Sequence, residues 1–402
     1  MNCKRRKQIK HIALVGVIAL IILLLTQAST NLRVLLGTEK TVLTWFEFIR
    51  SSWNFNTDNN QLYSDSLLLI DVHNDRQMMP VGDSDIMEPV VNHDHLYRLL
   101  HELNEHGNYR YIMLDVFLDD EICQPRDSAL YNQIANMPRI VIPRRRNSQP
   151  NNIISSKAGL AQYNTALWES DFVKYPYIID DKKSMPLLMY EEITGRHIRS
   201  WGGMLIDGGP VRKSAILTYD IKEDKRLMKN LYYLDMMVDT DDSMLSTDDV
   251  RGKYVLIGDF KADRHNTFIG EMSGTIINFN AYVSLLHGLH QIFTPMLIYL
   301  YIYIYILVWI TLHRTPLTRA MIWIGYTILL TAFCLWSYCK YQQVYDLLWT
   351  ALLFFLLEKL TDCWIDRHQI RKSIANLCLA LREWIKKIKQ QFKTLILCIK
   401  KG

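Results

Sequence analysis

The chain has 402 residues, 49% of them hydrophobic and 22% charged, with a formal net charge of +5. Seven cysteines without one CxxC spacing exclude a zinc or dithiol redox module. The near-neutral total hides a division: residues 29–294 hold 27 Lys+Arg against 36 Asp+Glu, a net of −9, whereas residues 358–402 hold 11 against 4. An acidic middle segment argues against nucleic acid as its partner.

In chain order, residues 1–11 form a basic N-terminus with five cations in "MNCKRRKQIK". Ile12 to Leu32 is then 21 residues without Asp, Glu, Lys or Arg, close to the ~20 that a helix needs to cross a bilayer. This first block is expected to be a transmembrane helix. The alternative is a cleaved signal peptide ending at "TQA" (26–28), but the uncharged run exceeds the usual ~7–15-residue signal core.

The long segment 33–294 is expected outside the membrane. It opens with a helical stretch, "LTWFEFIR" (43–50), followed by a polar connection. Strands and helices then alternate: "SLLLID" (66–71), the amphipathic "HDHLYRLLHELNEHG" (93–107), "YRYIMLDVF" (109–117), "RDSALYNQIANM" (126–137) and "PRIVIP" (138–143). Further strands are expected at 175–180 and 213–220, a helix at 185–195, and a turn-rich hairpin in "RSWGGMLIDGGP". The strand of "KYVLIGDFKADRH" (253–265) and the helix "GTIINFNAYVSLLHG" (274–288) complete the pattern. The fold class expected is α/β, a mostly parallel sheet flanked by helices. Only Cys123 lies in this segment, so no disulfide within it supports the core.

Three more apolar blocks follow, at 295–312, 320–338 and 343–357, giving four expected transmembrane helices, one before the domain and three after. Arg314 and Arg319 lie in one short loop and Lys340 in the other, which places both termini in the cytoplasm. Residues 358–402 read as a basic amphipathic helix, with Trp384 and Phe392 in its apolar stripe, suited to the anionic surface of the lipid bilayer. Its competing use is a helix seam, with a second copy in a homodimer or with another protein.

Three expected strands end in an acid: Asp71, Asp115 and Asp259. In open parallel sheets the ligand crevice lies beyond the carboxyl ends of the strands. With His73, Asp119, Asp120, Asp263 and His265 nearby, these acids have three readings: caps for the following helices, an oxygen-rich divalent-metal site, or a pocket for a cationic ligand. The candidate ligand-binding residues are Asp71, His73, Asp115, Asp259, Asp263 and His265. The "PRRRN" run (143–147) is expected to be a solvated loop or to pair with acids. No GxSxG, HExxH, SxxK or Walker A pattern occurs, so neither an enzyme nor a cofactor is expected.

The layout resembles the second class of CHASE domains, the extracytoplasmic sensors associated with bacterial cyclases and histidine kinases. "LLLIDVHND" is similar to that family's early strand ending in Asp. "HLYRLLHELNEHGNYRYIMLDVFLDD" is similar to its helix and "fDi.f" strand. "DVRGKYVLIGDFKADRHNTFIGEMSGTIINFNAYVSLLHG" resembles its "gk.vliG" strand, "D.H.T" loop (Asp263, His265, Thr267), "pG" turn (Ser273, Gly274) and helix. Its "D.DG..R" segment appears here only as "IIDDKKSMPLL" (178–188), and the basic tail stands where an output domain usually follows. The resemblance implies a sensor in the bacterial inner membrane whose periplasmic domain binds a ligand or protein and signals to a separate partner. The alternatives are a structural or assembly subunit of an envelope complex and a metal-dependent hydrolase.

Overall fold

The computed structural model describes residues 3–29, 36–52, 63, 65–80, 85–118, 124–147, 151–161, 164–165, 172–201, 204–207, 210–211, 214–216, 220–238, 245–291, 294–313 and 316–341. The principal elements are α1 (Cys3–Ser29), α2 (Leu36–Ser52), β1 (Leu67–Asp71), β2 (Arg76–Pro80), β3 (Met87–Val91), α3 (His93–His106), β4 (Tyr111–Asp115), α4 (Asp127–Asn136) and β5 (Ile140–Arg144). They continue with β6 (Ala158–Leu160), β7 (Phe172–Pro176), α5 (Met185–Thr194), β8 (Leu231–Tyr233), β9 (Tyr254–Gly258), β10 (Arg264–Thr267), β11 (Gly270–Ser273), α6 (Gly274–Leu286), α7 (Thr294–His313) and α8 (Pro316–Tyr341).

The chain divides into two compact units. One comprises Met1–Gln27, Ile298–Leu330 and Asp346–Gly402, the other Ala28–Leu297 and Thr331–Tyr345. The second unit is built on a six-stranded sheet in the order β8-β1-β9-β4-β5-β6, and every pairing in it is parallel. Strands buried on both faces need continuous apolar runs. "LLLI", "YIML" and "YVLI" supply them, and β1 and β9 are buried along their whole length.

Side chains alternate between the two faces of a strand, and the helices sort accordingly. Leu68, Ile70, Ile112, Leu114, Val255 and Ile257 face the core that Leu96, Leu99, Leu100 and Leu103 of α3 and Leu130 and Ile134 of α4 complete. Each fully buried Leu or Ile there contributes roughly 1.5–3 kcal/mol. The α3 stripe recurs at three- and four-residue spacing, its first turn is capped by the Asn92 side chain, and it stops at Gly107 in the left-handed conformation. Helix α6 lies on the opposite face and is buried from Gly274 to Leu285. Two of its polar side chains are matched inside the core: Asn280 exchanges hydrogen bonds with the Ile221 backbone, and Ser284 donates to the Asn280 carbonyl.

A second sheet pairs Ser214–Ile216 with β7, then β10, then β11. The expected hairpin in "RSWGGMLIDGGP" is present as antiparallel Arg199–Trp201, Met204–Ile206 and Pro210–Val211. The "IIDDKK" segment is a tight hairpin with Asp180 and Asp181 both at positive φ, the backbone of a two-residue turn. Asp180 takes Arg146 in an ion pair, so one arginine of the "PRRRN" run does pair with an acid.

In the other unit, Val15, Ala19 and Ile22 of α1 and Leu300, Ile304 and Val308 of α7 are buried, and the Tyr301 hydroxyl donates to the Gly16 carbonyl at 3.3 Å. Helices α1, α7 and α8 overlap the segments 12–32, 295–312 and 320–338 that were expected as spans. Among the described residues no helix is long and apolar enough to cross a membrane. The expected span 343–357 and the amphipathic tail 358–402 lie outside the described residues, as do Asp119, Asp120 and Cys123.

Candidate functional site

The parallel register brings the strand-end acids to one edge. Asp71 of β1 and Asp115 of β4 each pair with Gly258 of β9, one on either side, so the two carboxylates flank a glycine on the face toward α6. A Cβ at Gly258 would lie 2.1 Å from Thr275 Oγ1 and 3.3 Å from Asp115 Cβ. The missing side chain is what allows the first turn of α6 to sit against this edge. Asp259, Asp263 and His265 follow in the next loop and β10.

Helix capping, one of the three readings, is not what these acids do. The caps of α3 and α6 are Asn92 and Ser273. Asp71 Oδ1 instead accepts from the backbone N–H groups of His73 and Phe260, at 3.0 and 3.2 Å, tying the loops after β1 and β9 together. Burial pushes the Asp71 carboxyl above its ordinary range, those two N–H groups oppose the shift, and Asp259 reinforces it. Asp259 Oδ1 accepts from Lys261 and Ala262 N–H at 2.9 and 2.6 Å. Its carboxylate also faces His73 Nδ1 at 3.1 Å and the Arg76 guanidinium. Burial alone would raise Asp259, but the Ala262 N–H, His73 and the Lys261 N–H outweigh it and hold the group below the usual carboxylate range.

Asp115 has a different environment. Asn278 of α6 donates its Nδ2 to Asp115 Oδ2 at 2.9 Å, and the amide is oriented by Tyr175, whose hydroxyl donates to Asn278 Oδ1 at 2.9 Å. Burial drives the Asp115 carboxyl up to about 6 and Asp263 adds to it, against Asn278, Thr275 and His265. The Asp263 carboxylate is 2.8 Å from His265 Nε2, and His265 meets the Phe172 ring edge to face at 5.1 Å.

A cavity of about 450 Å³ opens over this edge, lined by Asp115, Asp259 and Asp263 together with Arg76, Asn278 and Arg145. That size falls within the range of small-molecule sites. Asp71, His73 and His265 stand behind the lining and buttress it. Arg76 and the group of His93, Gln124 and Asp127 carry no signal in the local sequence pattern. Arg76 comes from the hairpin of β2 and β3, which forms one wall. His93 pairs with Asp127 and its N–H donates to Gln124 Oε1 at 2.9 Å. The available signal for Asn278 was the pair of asparagines in the otherwise apolar "TIINFNAY". Among the described residues no group of three or more His, Cys, Asp or Glu side chains is placed to hold a metal ion.

From this edge α6 leads into the short "LHQIFT" connection (289–294). The connection is anchored at its start: Leu289 and His290 are buried, and Gln291 bridges to Val211. His290 Nε2 lies 2.9 Å from Asp207 Oδ2. Burial keeps the imidazole below its ordinary range. Burial alone would raise Asp207, but His290, Tyr190 and Gln291 together outweigh it and lower the group. A neutral His290 donating to an ionised Asp207 satisfies both directions. Just before the connection His287 faces the buried Asp220 at 3.1 Å.

Comparison with curated proteins and with solved structures found no match. A family model described as the CHASE2 domain matches residues 17–313, well over half of the chain and inclusive of every site residue named above. That family comprises extracellular sensor domains, and this chain belongs to it.

Proposed function

We propose that the chain is an inner-membrane sensor whose periplasmic α/β domain binds a ligand at the carboxyl edge of its sheet and relays the event along α6 to α7. The observation that carries this reading is the Asn278 to Asp115 hydrogen bond, because it joins the cavity floor directly to the helix that continues toward the expected spans. A ligand that changes the charge or position of Asp115 changes what holds the first turns of α6. The packed start of "LHQIFT" leaves little slack for that movement to dissipate.

The membrane part rests on two supports. The sequence places long uncharged runs at 12–32 and 295–312, and the helices there carry outward apolar side chains, such as Ile12 at 54% exposure, Leu24 at 60% and Ile298 at 56%, which suit lipid and not water. No catalytic role is assigned to the site. The partner that reads the signal is a separate cytoplasmic or membrane protein, with the basic tail as the contact to it or to the inner leaflet.

Inserting four glycines within 289–294 decouples α6 from α7 and abolishes the output while the cavity stays intact. An unchanged stimulus response in that variant would contradict the relay. A complex that can be isolated at fixed stoichiometry regardless of stimulus would favour the structural-subunit reading instead.

A further inference from the structure

We infer that the cavity at the carboxyl edge of the sheet takes a small organic cation, an ammonium or similar group that pairs with Asp115. The inference rests on the sensor reading and adds the chemistry of the ligand to it. Its basis is an inventory of charge in the lining.

Arg76 is neutralised by Asp259, which also holds His73. Asp263 is paired with His265, and His93 with Asp127. Arg145 lies over the Phe117 ring at 5.2 Å. Asp115 is held by the Asn278 amide, a neutral donor, and among the described residues it has no cationic partner within ion-pair distance. Glu88, exposed on the β3 wall, likewise adds negative charge. What the cavity lacks is a positive charge at its floor, and a half-buried carboxylate without a counter-ion is costly.

The alternatives fit less well. A divalent metal needs several convergent oxygen or nitrogen ligands, and the described residues contain no such group. An anion would meet Asp115 and Asp263 with Arg76 already engaged. The volume of about 450 Å³ and the apolar wall of Val72, Val91 and Val116 suit an organic body behind the charged end.

Binding of a cation draws the proton from Asp115, whose carboxyl titrates near 6. The titratable and charged groups around it are Asp263 and His265 from the loop and β10, Asp259 just after β9, Arg76 from β2, Glu88 from β3, Arg145 just after β5 and His93 from α3; Asn278 and Thr275 approach it from α6. The pH dependence is read against a variant that lacks only the Asp115 carboxyl.

The test is calorimetric titration of the full chain in lipid nanodiscs with butylammonium chloride, with sodium butyrate and magnesium chloride as comparison arms. Butylammonium is expected to bind with roughly tenfold higher affinity one pH unit above 6 than one unit below it, with proton release visible as a buffer-dependent heat. Asp115→Asn, which keeps the shape of the side chain, is expected to weaken binding at least tenfold and to flatten the pH dependence. Glu88→Gln, on the exposed wall, serves as a second variant and is expected to weaken binding by less than threefold. Asp115-dependent binding of magnesium in place of butylammonium overturns the inference, and so does butylammonium binding that is unchanged in Asp115→Asn. Butyrate binding without butylammonium binding overturns the cation assignment and leaves the cavity a ligand site. Binding of none of the three by a folded chain overturns the cation assignment and counts against the sensor reading as well.

Discussion

At the residue scale, Asp71 and Asp115 occupy the same register on either side of Gly258 yet have different roles, and their partners explain why. Asp71 is 1% exposed and its Oδ1 is saturated by two backbone N–H groups, which makes it a clamp between loops. Asp115 opens onto the cavity and is held by the Asn278 amide. Its carboxyl is raised from 3.8 to about 6 in the folded chain, so its contribution to stability is fully present below the unfolded value and is lost as pH rises through about 6. Above that pH the ionised group destabilises the fold. Asp115→Asn is therefore expected to be more stable than the parent chain at neutral pH, by about 1 kcal/mol after allowance for the half-buried position, and no more stable below pH 4. Urea unfolding at the two pH values measures the difference, and an Asn variant that is less stable at neutral pH would contradict the raised titration.

At the element scale, two glycines set how closely helices approach the sheet, and they differ in what a side chain would strike. Ala at Gly258 meets the hydroxyl end of Thr275, which can rotate away, so the expected cost is about 1–2 kcal/mol. Ala at Gly159 in β6 would lie 2.5 Å from the Met185 backbone N and Cα and 2.9 Å from the Ser184 carbonyl carbon. Nothing there can yield without shifting the start of α5, so about 3 kcal/mol or more is expected. Thermal unfolding of the two variants should rank them in that order; the reverse ranking would mean that α5 moves more readily than a threonine rotamer. The helices and central strands were legible because their apolar periods are long: the α3 stripe and the runs "LLLI", "YIML" and "YVLI" point to their elements with boundaries off by a few residues. The convergence of Asp71, Asp115 and Asp259 was legible too, from the rule that parallel strands present their carboxyl ends at one edge. The hairpin of β2 and β3 was not, since "RQMMP" and "MEPVV" carry no alternation and are partly exposed. Nor were the Arg76 to Asp259 and Asn278 to Asp115 contacts, which join residues more than 160 positions apart and leave no trace in local spacing.

For the whole molecule, the charge division of the chain and the position of the site make one topological requirement. A ligand from outside the cell reaches Asp115 only if residues 33–294 lie beyond the inner membrane, and the signal reaches a cytoplasmic partner only if α6 continues into a crossing. The five cations of residues 1–10, Arg314 and Arg319 in a short loop, and the 11 cations against 4 anions in residues 358–402 agree with the preference of Lys and Arg for the cytoplasmic flanks of spans. Protease added to intact spheroplasts is therefore expected to cleave within 33–294 and to spare an epitope on the basic C-terminus, whereas lysis exposes both. Cleavage would concentrate in surface loops and not in the parallel strands, whose backbone is buried and paired. A middle segment that resists digestion while an exported control is degraded would place the cavity in the cytoplasm. The acids at the sheet edge would then face intracellular ligands, the relay would lose its direction, and the α6 to α7 connection would need another explanation.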